Sequence, residues 1–256
     1  MTRTSQPTDP TTTRPRTSTL DRATLLRLAT VEYQRFTTML AGLDSGEWPR
    51  PTECPGWDVR AMAGHVLGMA EMAASVREMI RQQGAAKKRG GISIDALTAV
   101  QVEKNAELSS QELIDRFRAV GPRAARARRR IPGFIRGRSL PDPENVDGVP
   151  ETWTIGFLFD TILTRDPWMH RIDISRATGR DLQLTADHDG VLVADVVQEW
   201  AARHSSPCAL NLSGAAGGSW TFGDGGPTLE LDAIDFCRIL SGREPGTDLL
   251  ATQVPF

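Results

Sequence analysis

Asp166 and His170 stand four residues apart in the run Asp166-Pro167-Trp168-Met169-His170, and His65 lies far upstream of both. In an α-helix, positions i and i+4 project from one face, so the carboxylate and the imidazole are aimed at one point. Both fall on stripes that are otherwise apolar: Ile155, Phe159 and Ile162 lead to Asp166, while Met62, Met69 and Met72 surround His65. A polar group on a core face is costly unless something satisfies it. Two imidazoles and a carboxylate match the protein ligands of a catalytic zinc that keeps one position open. Nickel, iron and manganese accept the same donors. An ion so held acts as a Lewis acid and lowers the pKa of what it binds. Asp173, one turn beyond His170, is placed to orient an imidazole. The plainer reading of these residues is a hydrogen-bonded core histidine beside a local Asp–His ion pair.

The elements that must position these groups are helices. The spacing of Leu25, Leu28, Phe36, Met39 and Leu43 predicts a helix from about Leu20 to Leu43, ended by Asp44-Ser45-Gly46. A second is predicted over Val59–Gln83 with the stripe Met62, His65, Met69, Met72, Val76, Met79, and Lys87-Lys88-Arg89-Gly90-Gly91 reads as a solvated turn. Ser109 and Glu112 fit a capping box opening a third helix along Leu113, Phe117, Val120, Ala124 and Ala127, stopped by Pro132-Gly133. The fourth runs from about Trp153 to Thr178, with Gly179 as its C-cap and a kink expected at Pro167 beside the ligand candidates. Beyond Leu182 the pattern changes. A helix over Asp189–His204 precedes three short runs (Cys208–Leu212, Ser219–Phe222, Thr228–Leu231) separated by Gly-rich turns, which predict antiparallel strands. Asp232 caps a last helix, Ala233–Leu240. The expectation is a mainly α chain: a disordered Thr/Pro/Arg/Ser tail over residues 1–18, a metal-binding four-helix bundle over 19–180, and a small α+β domain over 181–256.

Composition narrows the function classes. A net charge of −2 in 256 residues argues against a general nucleic-acid or membrane-surface role. The apolar runs are too short for a bilayer span and no secretory h-region follows the N-terminal basic residues. Cys54, Cys208 and Cys237 are too few and scattered for a disulfide framework. A cytoplasmic protein, monomeric or homodimeric, with small-molecule partners is expected. The basic stretch Arg123, Arg126, Arg128, Arg129, Arg130, Arg136 and Arg138 lacks interleaved aromatics and reads as a solvated helix end. Gly214 to Gly218 opens no helix and reads as a hairpin turn rather than a phosphate loop. His188 and His204 fall at helix ends and are expected to be exposed, and Cys54 reads as a small packing residue.

Two segments carry a family resemblance. Trp48-Pro49-Arg50-Pro51-Thr52-Glu53-Cys54-Pro55-Gly56-Trp57-Asp58-Val59-Arg60, followed by His65, resembles the first motif of the mycothiol-dependent maleylpyruvate isomerase family of DinB-like metalloenzymes. Asp166 to Gly179, with His170-Arg171-Ile172-Asp173, resembles the second, and Asp232 to Arg243 is similar to the family's ending. The resemblance implies a DinB-like four-helix bundle followed by a small C-terminal domain. It also implies His65, Asp166 and His170 as ligands of a divalent metal, zinc first, and mycothiol as cosubstrate. The characterised isomerase type carries Glu where this chain has Asp166. It also uses an Arg of the small domain, for which Arg238 and Arg243 are the candidates, each also readable as a surface helix charge. Thiolates attack far better than thiols, so the implied chemistry is isomerisation or S-transfer on a small electrophile. The alternative is a non-catalytic binding protein of the same fold.

Overall fold

A computed structural model describes residues 15–90 and 93–256. Four helices form the bundle: α1 (Arg22–Ala41), α2 (Val59–Ala74), α5 (Ser110–Arg130) and α7 (Leu163–Thr178), with α3 (Val76–Arg89) and α4 (Ser93–Asn105) between the second and third. Tyr33, Phe36, Leu40, Met62, Val66, Leu67, Phe117, Val120 and Leu163 fill its core. The caps are those the sequence dictates. Asp58 accepts from the Ala61 N–H, Ser109 and Glu112 complete a capping box, and Gly179 ends α7 in the left-handed conformation at φ 72°. The described chain is mainly α, a four-helix bundle with a small sheet region.

Several local expectations need correction. The second predicted helix breaks at Ser75 (φ −151°), whose side chain caps α3 by accepting from Glu78 N–H. Val76, assigned to the core stripe, consequently points outward at 68 % exposure. Lys87, Lys88 and Arg89 belong to the last turn of α3, not to a loop; Gly91 lies outside the described residues. The sequence reading places no helix between Gly91 and Ser109, yet α4 packs closely on α2. It buries amides instead of an apolar stripe: Asn105 Nδ2 donates to Gly64 O at 2.8 Å, and Gln101 Nε2 to Gln82 Oε1 at 3.0 Å. Gly68 permits this approach, since a Cβ there would fall 2.6 Å from the Gln101 Cβ. Of the predicted tail, residues 1–14 lie outside the described residues. Residues 15–18 are ordered against the bundle entry, where Arg16 N donates to Thr152 O at 2.8 Å and Thr154 N to Arg16 O at 3.1 Å.

Between α5 and α7 the Pro/Asp-rich segment holds a helical turn, α6 (Gly133–Arg136), and a hairpin of β1 (Glu144–Val146) and β2 (Val149–Glu151). The helix that follows opens on a π-helical turn, Phe157–Ile162, before α7 proper. Beyond α7 lie α8 (Asp189–His204), β3 (Cys208–Ser213), β4 (Gly218–Phe222), β5 (Thr228–Asp232), α9 (Ala233–Leu240) and a 3-10 turn, Asp248–Ala251. β3 and β4 form the expected hairpin around Gly214–Gly218. β5, however, pairs with β3 in parallel, so the order is β4-β3-β5. The β4–β5 connection crosses the base of β3 beside Pro207, and Gly226 (φ 82°) has no room there for a side chain. A second core joins this layer to the bundle: Leu28, Trp168, Met169 and Ile172 pack with Val193, Val196, Trp200, Leu210, Phe236 and Leu240.

Buried charges seal that joint. Arg171 donates to Glu32 Oε1 on α1 at 2.9 Å and to Asp189 Oδ1 at the start of α8 at 2.8 Å. Arg165 reaches Asp195 and Glu199 on α8, both at 2.7 Å. His188, expected at the surface, is buried with Nε2 2.8 Å from Glu32 Oε2. His204 is half-buried, its ring 4.3 Å from that of Trp200. His188 is covered by α1 and His204 packs on Trp200 of its own helix, neither of which helical position alone reveals. No described helix is long and apolar enough to cross a membrane.

Candidate metal centre

His65 is carried by α2, Asp166 and His170 by α7, and the two helices bring the three side chains together in the bundle interior. His65 Nε2 lies 3.4 Å from Asp166 Oδ2, and His170 Nε2 lies 3.4 Å from Asp166 Oδ1. One ligand atom from each falls within 4.8 Å of the others. Both histidines are buried, and Asp166 is the most open of the three. His65 Nδ1 and Asp166 Oδ2 have no hydrogen-bond partner, a costly state for buried polar atoms. Burial opposes ionisation of Asp166, but the imidazoles of His170 and His65 hold its carboxyl well below the usual carboxylate range. Burial likewise opposes charging His170, yet Asp166 and then Asp173 raise its pKa well above that of a free imidazole. Two ring nitrogens and a carboxylate facing one point, with a carboxylate oxygen left over, fit a divalent cation of the zinc type.

The surroundings fix the ligands' orientation. Asp173 Oδ2 lies 3.0 Å from His170 Nδ1, which leaves Nε2 turned to the cluster. Arg243, from beyond α9, clamps Asp173 with Nε 2.6 Å from Oδ1 and Nη2 2.6 Å from Oδ2. Despite burial, His170 and Arg243 hold the Asp173 pKa below its ordinary value. The two C-terminal arginine candidates therefore separate. Arg238 is buried against Glu53, Asp235 and Glu244, whereas Arg243 stands beside the cluster.

Two neighbours escaped sequence reading as site residues. The ring of Trp57 lies 5.1 Å from that of His65 and 5.9 Å from that of His170. Cys54 Sγ lies 3.8 Å from both Asp173 Oδ2 and Arg243 Nη2, and packs at the edge of the bundle core. Both come from the Pro-rich loop that turns into α2, and the signal was the dense Cys54-Pro55-Gly56-Trp57 run itself. Cys54, His170 and Asp173 also form a three-donor group, but the Arg243 guanidinium already occupies both Asp173 oxygens.

The sequence profile of the mycothiol maleylpyruvate isomerase N-terminal domain matches residues 29–175, more than half of the chain. The chain belongs to that family. The matched span contains His65, Asp166 and His170 as well as Cys54 and Trp57, and stops short of Arg243. Two solved structures resemble most of this chain. One is a mycothiol-dependent maleylpyruvate isomerase (16 % identity, TM-score 0.54), and the other is a His-to-Ala mutant of such an enzyme (14 %, TM-score 0.56). Each comparison covers 88 % of this chain and 90 % of the other. At these identities the likeness establishes the shared fold. No curated protein matches the chain in sequence.

Proposed function

We propose that this family member is a metal-dependent enzyme that uses a low-molecular-weight thiol, mycothiol or a close relative, to isomerise or S-conjugate a small electrophile. The observation that carries the reading is the convergence of His65, Asp166 and His170 around one point, with an unpartnered carboxylate oxygen among them. His65 Nε2, an Asp166 oxygen and His170 Nε2 would hold the ion, zinc being the first candidate. When bound, the metal would supply Lewis acidity and favour the thiolate form of a sulfur brought to it.

The chain's own residues supply the rest. Asp173 holds the His170 ring so that Nε2 faces inward. Trp57 walls one side of the cluster with an apolar face, which limits water and offers a surface for a flat conjugated substrate. Arg243 brings a positive charge to the rim, suited to an anionic substrate group. Asp166 in place of the isomerase type's Glu shortens the reach of the carboxylate by one methylene, a change that the short distances to both imidazoles accommodate.

Elemental analysis tests the ligand set. Wild-type protein is expected to carry about one equivalent of divalent metal, and His170→Ala to lose most of it; equal content in both removes His170 from the set. Thiol-dependent isomerisation of maleylpyruvate, in which the thiol is regenerated, and consumption of the thiol by an electrophile that it alkylates then test the two catalytic outcomes. Metal with neither thiol-dependent isomerisation nor thiol consumption would leave a binding protein.

A further inference from the structure

The fourth bundle helix carries two backbone irregularities on either side of its first ligand, Asp166. Pro167 has no N–H, so the carbonyl of Leu163, four residues earlier, lacks its helical donor, and the proline ring presses on that carbonyl. The π-helical turn over Phe157–Ile162 widens the preceding stretch, and Leu163 departs from helical backbone with ψ 8°. Carbonyls in such a stretch need donors from elsewhere, because the site is buried.

Arg128 supplies them. It belongs to the basic run that sequence reading assigns to a solvated helix end; Arg123, Arg126, Arg129, Arg130 and Arg138 are indeed exposed, but Arg128 is 1 % exposed. The reason is its place on the apolar face of α5, one turn after Ala124. Its Nη1 donates to Leu163 O at 3.2 Å, and its Nη2 to Asp160 O at 3.1 Å and Thr164 Oγ1 at 2.6 Å. Tyr33 lies beside it, with Oη 3.4 Å from Nη1. Among the described residues these acceptors are all neutral; Arg128 forms no salt bridge. A buried guanidinium without a carboxylate is expensive, and its hydrogen-bonding partners are concentrated on the disrupted backbone.

We infer that Arg128 is a positioning residue for the candidate metal centre, a side-chain substitute for the backbone donor that Pro167 removes. Asp166 sits between the carbonyl Arg128 grips, at Leu163, and the proline that made the grip necessary. Holding this stretch sets where the Asp166 carboxylate stands between His65 and His170. The inference rests on the metal-centre reading for its functional meaning, while the backbone role stands on the hydrogen bonds alone.

The test is a double-mutant cycle. Metal-free Arg128→Met is titrated with Co²⁺, whose visible absorption reports both affinity and coordination geometry, and its fold is checked by circular dichroism. The expected result is a 10- to 100-fold weaker affinity, the usual scale for groups that orient ligands, with an altered spectrum. Adding Pro167→Ala restores an N–H opposite Leu163 O and is expected to recover much of the loss. Wild-type affinity and spectrum in a folded Arg128→Met variant, or losses that merely add in the double variant, would overturn the inference. Where Arg128→Met does not fold, Arg128→Lys replaces it: the single ammonium cannot reproduce the fork, so weakened binding supports the role and unchanged binding overturns it. Should the wild type itself bind no cobalt, the metal-centre reading falls. The positioning role is then read from the NMR signals of the Asp166 carboxyl and the His65 and His170 rings: displacement by the Arg128 variant supports it, and unchanged signals overturn it.

Discussion

At the scale of single residues, the candidate centre is a problem of orientation. His170 is useful as a donor only with Nε2 facing Asp166 and His65, and Asp173 on its Nδ1 enforces that. Asp173→Asn keeps the size but weakens the acceptor and leaves Arg243 without its carboxylate. Chelator-competition titration should show metal affinity falling about 10- to 100-fold, with the fold retained. The juxtaposition of His65, Asp166 and His170 was legible in the sequence because each interrupts a helical stripe of apolar residues. Trp57 and Cys54 were not, because they sit in an irregular loop where no period exists to interrupt. The choice between Arg238 and Arg243 was equally invisible, since one ends the same short helix that the other follows, and only tertiary packing sends one to Glu53 and the other to Asp173.

At the scale of elements, the bundle helices were legible wherever apolar residues recur at helical spacing, and α4 was not. Its inward face carries Gln101 and Asn105, whose amides bond α2 and α3 instead of filling an apolar groove. The break at Ser75 was hidden for a related reason: the stripe continues through it, and only the Ser75 cap marks the new start. Charge also ties α3 to its neighbours. Arg81, then Lys104 and Gln82, bind the Glu78 carboxylate and lower its pKa to about 2 from an ordinary 4.5. A folded pKa below the unfolded one means the contribution is complete above about pH 4.5 and is lost as pH falls towards 2. Chemical unfolding across that window should show Glu78→Gln losing less stability on acidification than the wild type.

For the molecule as a whole, the α8–β3–α9 layer is joined to the bundle by a shared core and by buried arginines to which the sequence analysis assigned no structural role. Arg165 and Arg171 lie on the ligand helix, yet each is buried between two carboxylates drawn from other elements. No local pattern announces such partners, because they come from α1 and α8. Removing one member strands the others. Arg171→Met leaves buried Glu32 with only His188 beside it and Asp189 with only Arg35 as its guanidinium, and should cost up to about 3–5 kcal/mol in urea unfolding, while Glu32→Gln combined with it should cost less than the sum. The parallel β3–β5 pairing was misread for a different reason: a Gly-rich turn suits a hairpin, and only the tight passage over Pro207 shows that the chain crosses the strand end instead.

Arg243 makes the C-terminal segment a partner in the centre without lending it a ligand. Its grip on Asp173 connects two equilibria: how firmly the end of the chain is seated, and how tightly the bundle interior holds an ion. Thermodynamic linkage requires the exchange to be symmetric. If loading the ion slows proteolysis of the residues after α9 by a given equilibrium factor, then Arg243→Ala, which removes the link between that segment and Asp173, should abolish the protection and weaken the ion by a comparable factor. Protease protection and metal titration, measured on the same protein, would then be two readings of a single coupling energy.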